Sequence, residues 1–217
     1  MNRQKREKLY FILSLIGCCV PIIMGICFYN IMPREMPVHF NNRNIADDFA
    51  SKEVALFVIP IFIIAIFLFS VFMIKKDPKR QNQSNGILYV LYVFMPIISI
   101  LTSSFSISYA LGYRPNISMY IIRIISVFFI SIGNLLPKTK RNYTVGIKVP
   151  WTLDSDKNWN KTHRFAGFLW TIVGVLTLLF SFLFEKYMNN LFLVGAVLMI
   201  ILPIIYSYIL YRKESNI

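Results

Sequence analysis

Six stretches almost free of charge divide this chain, and they leave it little choice of fold. They cover residues 9–33, 54–74, 81–113, 115–136, 165–184 and 187–211, and the one charge inside any of them is Arg123. Each reaches the roughly 20 residues with which a helix crosses about 30 Å of hydrocarbon. A strand ladder cannot be left open in lipid, so isolated apolar runs of this length span as helices. With mean hydropathy +0.58 and only 15% charged residues, the chain cannot clothe itself in polar surface as a soluble domain does. The expectation is an all-α polytopic membrane protein of six transmembrane helices, with the lipid bilayer as its first partner.

Lys and Arg set the orientation. If the N-terminus is cytoplasmic, the inner segments carry Arg3, Lys5, Arg6 and Lys8, then Lys75, Lys76, Lys79 and Arg80. They continue with Lys138, Lys140, Arg141, Lys148, Lys157, Lys161 and Arg164, and end with Arg212 and Lys213. The outer segments carry only Arg34, Arg43, Lys52, Arg114 and Lys186. Seventeen against five predicts that both termini are cytoplasmic. The net charge of +13 then reads as topology plus attraction to anionic headgroups, so no direct nucleic-acid partner is expected.

Several function classes find no support. None of the six runs places an Asp, Glu or His in its apolar part, which disfavours a proton-coupled transporter. His39 is expected outside and His163 inside, so the two cannot form a paired metal site within one chain. There is no phosphate-cradling glycine loop and no nucleophile elbow, so neither an enzyme nor a cofactor is expected. Cys18, Cys19 and Cys27 all fall in the first span and read as packing residues. Leu15-Ile16-Gly17-Cys18 has the look of a lipoprotein cleavage box, but the chain stays apolar beyond it, as an uncleaved helix does.

Two features keep a small transporter or channel open as an alternative. The third span carries Ser99, Ser103 and Ser106 at i, i+4, i+7, with Thr102, Ser104 and Ser108 nearby. Close helix packing explains these hydroxyls; so does a polar path. Arg123 is the second feature. It lies near the outer end of its span, where it either snorkels to the headgroups or pairs with a carboxylate of the outer loop, Glu35, Asp47, Asp48 or Glu53.

The chain divides into residues 1–74, a helix pair around an outer loop at 34–53, and residues 75–217, four helices around a cytoplasmic loop at 137–164. Pro137 ends the fourth helix. From Asn142 to Pro150 the chain reads as extended or turn-like, with a tight bend at Gly146. A new helix is expected near Asp154, capped by its carboxylate, and running into the fifth span. On it Lys157, Lys161 and Arg164 share one face, while Trp159 and His163 share another. Basic residues beside tryptophan suit a membrane interface, which explains the composition of the loop but not its length.

The pattern Asn134-x-x-Pro137, then Asn142-x-x-x-Gly146-Ile147-Lys148-x-Pro150-Trp151-Thr152-Leu153, then Trp159-x-x-Thr162-His163-Arg164-x-x-Gly167, resembles the signature of the SdpI family of bacterial immunity proteins. The segment Met32-Pro33-Arg34-Glu35-Met36-Pro37-Val38-His39-Phe40 is similar to the family's segment after the first helix, so the resemblance covers most of the chain. Two departures stand out. Lys148-Val149 replaces the family's usual Arg-Thr, keeping the charge but losing the planar fork. Asn41-Asn42-Arg43-Asn44 stands where the family tends to place a glycine.

The resemblance implies an integral membrane immunity protein that protects its producer from a secreted peptide toxin. It also implies a receptor role, in which a cytoplasmic transcriptional repressor is held at the membrane. An envelope protein with no toxin partner is the further alternative. A division of labour fits the residues. The outer loop, with Pro37, His39, Phe40, Asp47 and Asp48, would meet a cationic or amphipathic peptide, or serve only to scaffold the connection between the first two spans. The inner loop would be a folded recognition surface, with Trp151, Trp159, His163 and Arg164 as an apolar and cationic patch on a backbone shaped by Asn134, Pro137, Gly146 and Pro150. The competing expectation is that the same loop only caps the bundle.

Overall fold

The computed structural model of the chain describes residues 2–41 and 43–214. Asn42, in the stretch that replaces the family's glycine, lies outside them. Seven α-helices occur among the described residues: α1 (Arg3–Phe28), α2 (Ile59–Lys76), α3 (Gly86–Ala110), α4 (Ile117–Leu135), α5 (Pro150–Asp154), α6 (Asp156–Leu183) and α7 (Met188–Glu214). All but the short α5 are long and apolar enough to cross a membrane. Only 17% to 33% of the apolar window in each of these six is buried inside the protein. Their large side chains therefore face outward, the reverse of a soluble core, and need lipid as the medium.

The six spans match the six apolar runs, but the all-α expectation misses one element. Between α1 and α2 lies a β-hairpin, β1 (Glu35–Phe40) and β2 (Ala46–Ser51), paired antiparallel from Glu35↔Ser51 to Phe40↔Ala46. Register shifts on either side of His39 bulge the ladder. Pro37 obscures the first strand in the sequence, since proline cannot donate to a ladder. Its carbonyl instead accepts a hydrogen bond from Ser106 Oγ at 2.7 Å. At the turn, Asn44 takes φ 59°, a left-handed conformation that asparagine tolerates. Asn41 Oδ1 accepts the N–H groups of Arg43 (2.8 Å) and Ile45 (3.2 Å).

Internal contacts group the chain into two units. The first comprises Met1–Val71 and Leu91–Ser118. One core cluster joins Met32 and Met36 to Ala55, Leu56 and Ile107; elsewhere in the unit Phe11 stacks on Phe67, and both meet Tyr92 edge-on. The serines of α3 face inward: Ser99, Ser103 and Ser106 are all buried. Ser99 Oγ donates to the carbonyl of Cys18 at 3.2 Å, so this hydroxyl serves helix packing.

The second unit comprises Phe72–Val90 and Met119–Ile217. Small residues bring α4 and α6 into near backbone contact within it. A Cβ on Gly167 would lie 2.6 Å from the carbonyl oxygen of Gly133 and 2.7 Å from the ring of Pro137. One on Gly133 would lie 2.9 Å from the carbonyl of Gly167. This tight crossing positions the loop that α4 and α6 enclose.

Candidate functional site

The 137–164 loop folds on itself, and its signature residues are the parts that hold it. Leu136–Lys138 forms one 3₁₀ turn that ends α4. Asn142 follows, 1% exposed, with every polar valence of its amide used. Its Oδ1 accepts the N–H groups of Thr144 (3.0 Å) and Val145 (2.8 Å). Its Nδ2 donates to the carbonyls of Lys140 and Val145, both at 2.9 Å. An aspartate or leucine here would leave buried backbone groups unpaired, at about 1–3 kcal/mol each.

Gly146 comes next, at φ 127°. A Cβ there would run into His163 Nε2 and lie 2.9 Å from the Trp159 ring. The two rings it abuts are stacked, with centroids 3.9 Å apart and planes 17° apart. Trp159 is fully buried, and its indole N–H donates to the carbonyl of Thr139 at 2.7 Å. His163 is 1% exposed and bonded at both nitrogens. Ile147 N–H points at Nε2 (2.9 Å) and the carbonyl of Trp159 faces Nδ1 (2.8 Å). An N–H can only donate, so Nε2 is bare and Nδ1 carries the proton.

The rest of the motif closes the chain into α5 and α6. Pro150 opens α5 at its first position, where the missing N–H costs nothing. Thr152 Oγ1 accepts from Val149 N–H (3.1 Å) and lies within donating distance of the carbonyls of Ile147 (2.8 Å) and Val149 (2.9 Å). Arg141 donates to the carbonyls of Leu153 and Asp154 at the end of α5, both at 2.8 Å. Thr162 donates to Asn158 Oδ1 (3.0 Å), and buried Asn158 also binds Ser207 of α7 through its carbonyl (2.9 Å) and hydroxyl (2.7 Å). Lys148, where the family pattern has arginine, holds the carbonyls of Tyr143 and Thr144, both at 3.1 Å. No planar fork is needed for that task. Asn134, exposed, receives Lys138 Nζ at 3.4 Å.

Three expectations are corrected here. The fifth span does not begin with an Asp154 cap: Asp154 ends α5, and Ser155 caps α6, its Oγ accepting Asn158 N–H at 3.1 Å. The fixed φ of Pro150 starts a separate short helix ahead of it. Second, Trp159 and His163 are not an exposed patch; they are the interior pillar against which the loop folds. Trp151 is half-buried, packed on Tyr208 and Tyr211, whereas Arg164 is exposed beside Lys157 and Lys161. Third, the carboxylate that Arg123 meets is Glu185 (3.1 Å), not one from the 34–53 loop. Its guanidinium also donates to the Ser181 carbonyl (2.9 Å) and lies 4.2 Å from the Phe182 ring centroid. Glu185 closes the short turn after α6, one of the connections to which an arginine near a span end has easy reach.

Sequence reasoning passed over Asp77. It is the single acid between α2 and α3, among Lys75, Lys76, Lys79 and Arg80, and it is only 6% exposed. It accepts from Lys79 N–H (2.7 Å), Gln83 Nε2 (2.8 Å), Tyr143 N–H (3.0 Å) and the Thr144 hydroxyl. Burial works against its charge, but the Thr144 hydroxyl, the two backbone N–H groups and the Gln83 amide together hold the carboxyl below the usual carboxylate range. The same clasp includes Lys140 N–H to the carbonyl of Asn82 (2.8 Å) and Asn82 Nδ2 to that of Arg141 (2.7 Å). A lone acid in a basic turn is the signal that could have revealed it.

The hairpin gathers the other sequence-marked residues. His39 Nδ1 lies 2.6 Å from Asp47 Oδ1 across the ladder, with both side chains substantially exposed. Phe40 meets the Tyr109 ring edge-on at 5.2 Å. Asp48 faces outward, its Oδ1 accepting the N–H of Phe49 at 2.9 Å. Pro37 is buried.

Comparison with known proteins bears on this arrangement. The model of the SdpI/YfhL protein family matches residues 138–207, from the motif loop into α7. A domain of unknown function (DUF1648) matches residues 16–64, which hold the hairpin. The chain is 28% identical over 210 residues to the "Immunity protein SdpI" of Bacillus subtilis (strain 168), covering 94% of this chain and 97% of that one. No solved structure matches it. With six helices long and apolar enough to span and a relative matched over nearly its full length, the chain is a multi-pass protein of the cell membrane, and its motif loop, α6 and most of α7 are similar to the SdpI/YfhL protein family.

Proposed function

We propose that the chain is an immunity protein, protecting its cell from a secreted peptide toxin that attacks the membrane. The observation that carries this reading is the similarity, across nearly the whole of both chains, to an immunity protein. The seventeen-to-five split of basic residues supports a topology with both termini and the motif loop in the cytoplasm and the hairpin outside. A toxin would then meet the hairpin, and a cytoplasmic repressor the motif loop. Because Trp159 and His163 are internal, the residues left to meet a repressor are the exposed basic face of α6, Lys161, Arg164 and Lys157, the last also paired with Glu214, and exposed Tyr143 of the loop. A basic and aromatic rim of this kind suits an acidic protein surface.

The test is expression in a toxin-sensitive cell followed by challenge with candidate secreted peptides. Survival above the empty-vector level supports immunity; no protection from any candidate at full membrane abundance removes it. Sensing is separate. Changing Lys157, Lys161 and Arg164 together to glutamine should abolish membrane recruitment of a repressor while survival holds, and unchanged recruitment would discard that part.

A further inference from the structure

We propose that the hairpin carries a peptide-docking site: a depression of about 480 Å³, lined by His39, Phe40, Asn41, Arg43, Ile45 and Asp47, that takes an apolar side chain flanked by a cation from a cationic amphipathic peptide. The inference deepens the immunity reading and rests on it for the source of the peptide.

Its size suits one large side chain with its neighbours, being within the range of ligand pockets, about 300–1,000 Å³. Its apolar wall is Phe40 and Ile45, and Ile45 is 52% exposed, with Phe49, 50% exposed, in the strand that follows it. Three contacts fix its shape. Tyr109 braces the Phe40 ring, and Asn44, in the turn, accepts Ser118 N–H at 2.7 Å and donates to Asn116 Oδ1 at 3.0 Å. A site held this way loses little freedom on binding.

Charge selects the partner. Asp47 and Asp48 are the acidic residues of β2, whereas the nearby Lys52 is committed to Tyr29, 3.1 Å from its carbonyl and 3.9 Å from its ring centroid. His39 engages one oxygen of Asp47, and the Phe49 N–H one oxygen of Asp48, which leaves the second oxygen of each for a ligand. Asp47 lines the depression and exposed Asp48 follows it in β2, beside exposed apolar groups on a chain of net charge +13, and these two carboxylates complement a cationic, amphipathic partner. Anionic headgroups would be repelled by the same pair. Arg43 also borders the depression, so it opposes the proposed ligand, and its removal should strengthen binding.

The experiment uses the full chain in phosphatidylcholine nanodiscs, a fluorescein-labelled synthetic peptide of alternating lysine and leucine, and empty discs as the blank. Anisotropy should show saturable binding that is absent for a glutamate–leucine peptide. Asp47→Asn with Asp48→Asn should weaken it about tenfold, Ile45→Ser should weaken it, and Arg43→Ala should tighten it. Both asparagines keep an acceptor for His39 and Phe49 N–H, and thermal melts in the same discs check folding. If the double variant does not fold, Arg43→Ala decides. No saturable binding, equal binding of both peptides, or indifference to these changes would overturn the site. Protection of sensitive cells by a chain that fails this assay would leave immunity standing without the site. Binding by a chain that protects against nothing would leave the site and remove immunity.

Discussion

Asp77→Asn should loosen the motif loop without touching a single signature residue. The carboxylate accepts one N–H at Oδ1, from Lys79, and three donors at Oδ2, from Gln83, Tyr143 and Thr144. An asparagine has one acceptor oxygen. Its better orientation turns that oxygen to the three donors and sets its NH₂ against the N–H of Lys79. One buried donor is then unpaired, about 1–3 kcal/mol, and the surviving bonds lose their charge assistance, for a total of about 2–3 kcal/mol. That corresponds to roughly a 30- to 150-fold rise in the open population of the loop. Trypsin applied to the cytoplasmic face of inverted vesicles reads it directly, since Lys140, Arg141 and Lys148 all lie in the clasped segment. Cleavage should accelerate by about that factor, with Asp156→Asn, at an exposed ion pair with Arg141, as the control. The pH dependence follows from the same bonds. A carboxyl held below its unfolded value, about 3.9, contributes stability that is complete above that pH and is lost as pH falls through the folded value. The Asp77 contribution should therefore hold between pH 7 and 5 and be lost below about pH 4, a step the asparagine variant lacks, whereas buried His163, its pKa lowered to about 4 by burial, loosens the loop in both chains as pH falls below about 6.5. Cleavage at the native rate in Asp77→Asn would refute the reasoning.

Gly146→Ala combines a positive φ with the Trp159–His163 stack at its Cβ, so it should cost at least about 2 kcal/mol and lower membrane abundance, measured by quantitative blotting; native abundance would argue against a fixed stack. Arg123→Ala should destabilise more than Glu185→Ala, because the guanidinium also serves the Ser181 carbonyl, and a double-mutant cycle of melts should give a coupling of no more than about 1 kcal/mol for a pair so exposed on the Glu185 side. In a chain without its native cysteines, Gln81→Cys and Lys161→Cys should resist an impermeant thiol reagent in intact cells while Tyr113→Cys, 68% exposed, reacts; the reverse pattern would invert the topology.

The sequence by itself determined the membrane, the six spans and the resemblance to a family. Those depend on quantities carried in one dimension: the length of an apolar run, the absence of charge within it, and a signature whose residues are close along the chain. It also marked Gly146, because a bend needs a residue free of Cβ. Only the tertiary structure decided what the marked residues do. Trp159 and His163 look on a helical projection like an interface patch, yet a partner segment distant along the chain, from Thr139 to Ile147, covers both rings and takes their hydrogen bonds. Asp77 looks like one charge in a basic turn, and its four donors come from residues up to 67 positions away. The carboxylate that meets Arg123 is 62 positions on, beyond two intervening helices. The hairpin was hidden because Pro37 and the bulges around His39 break the alternation by which a strand announces itself. Burial and pairing are properties of what folds back onto a residue, and spacing along the chain does not encode that.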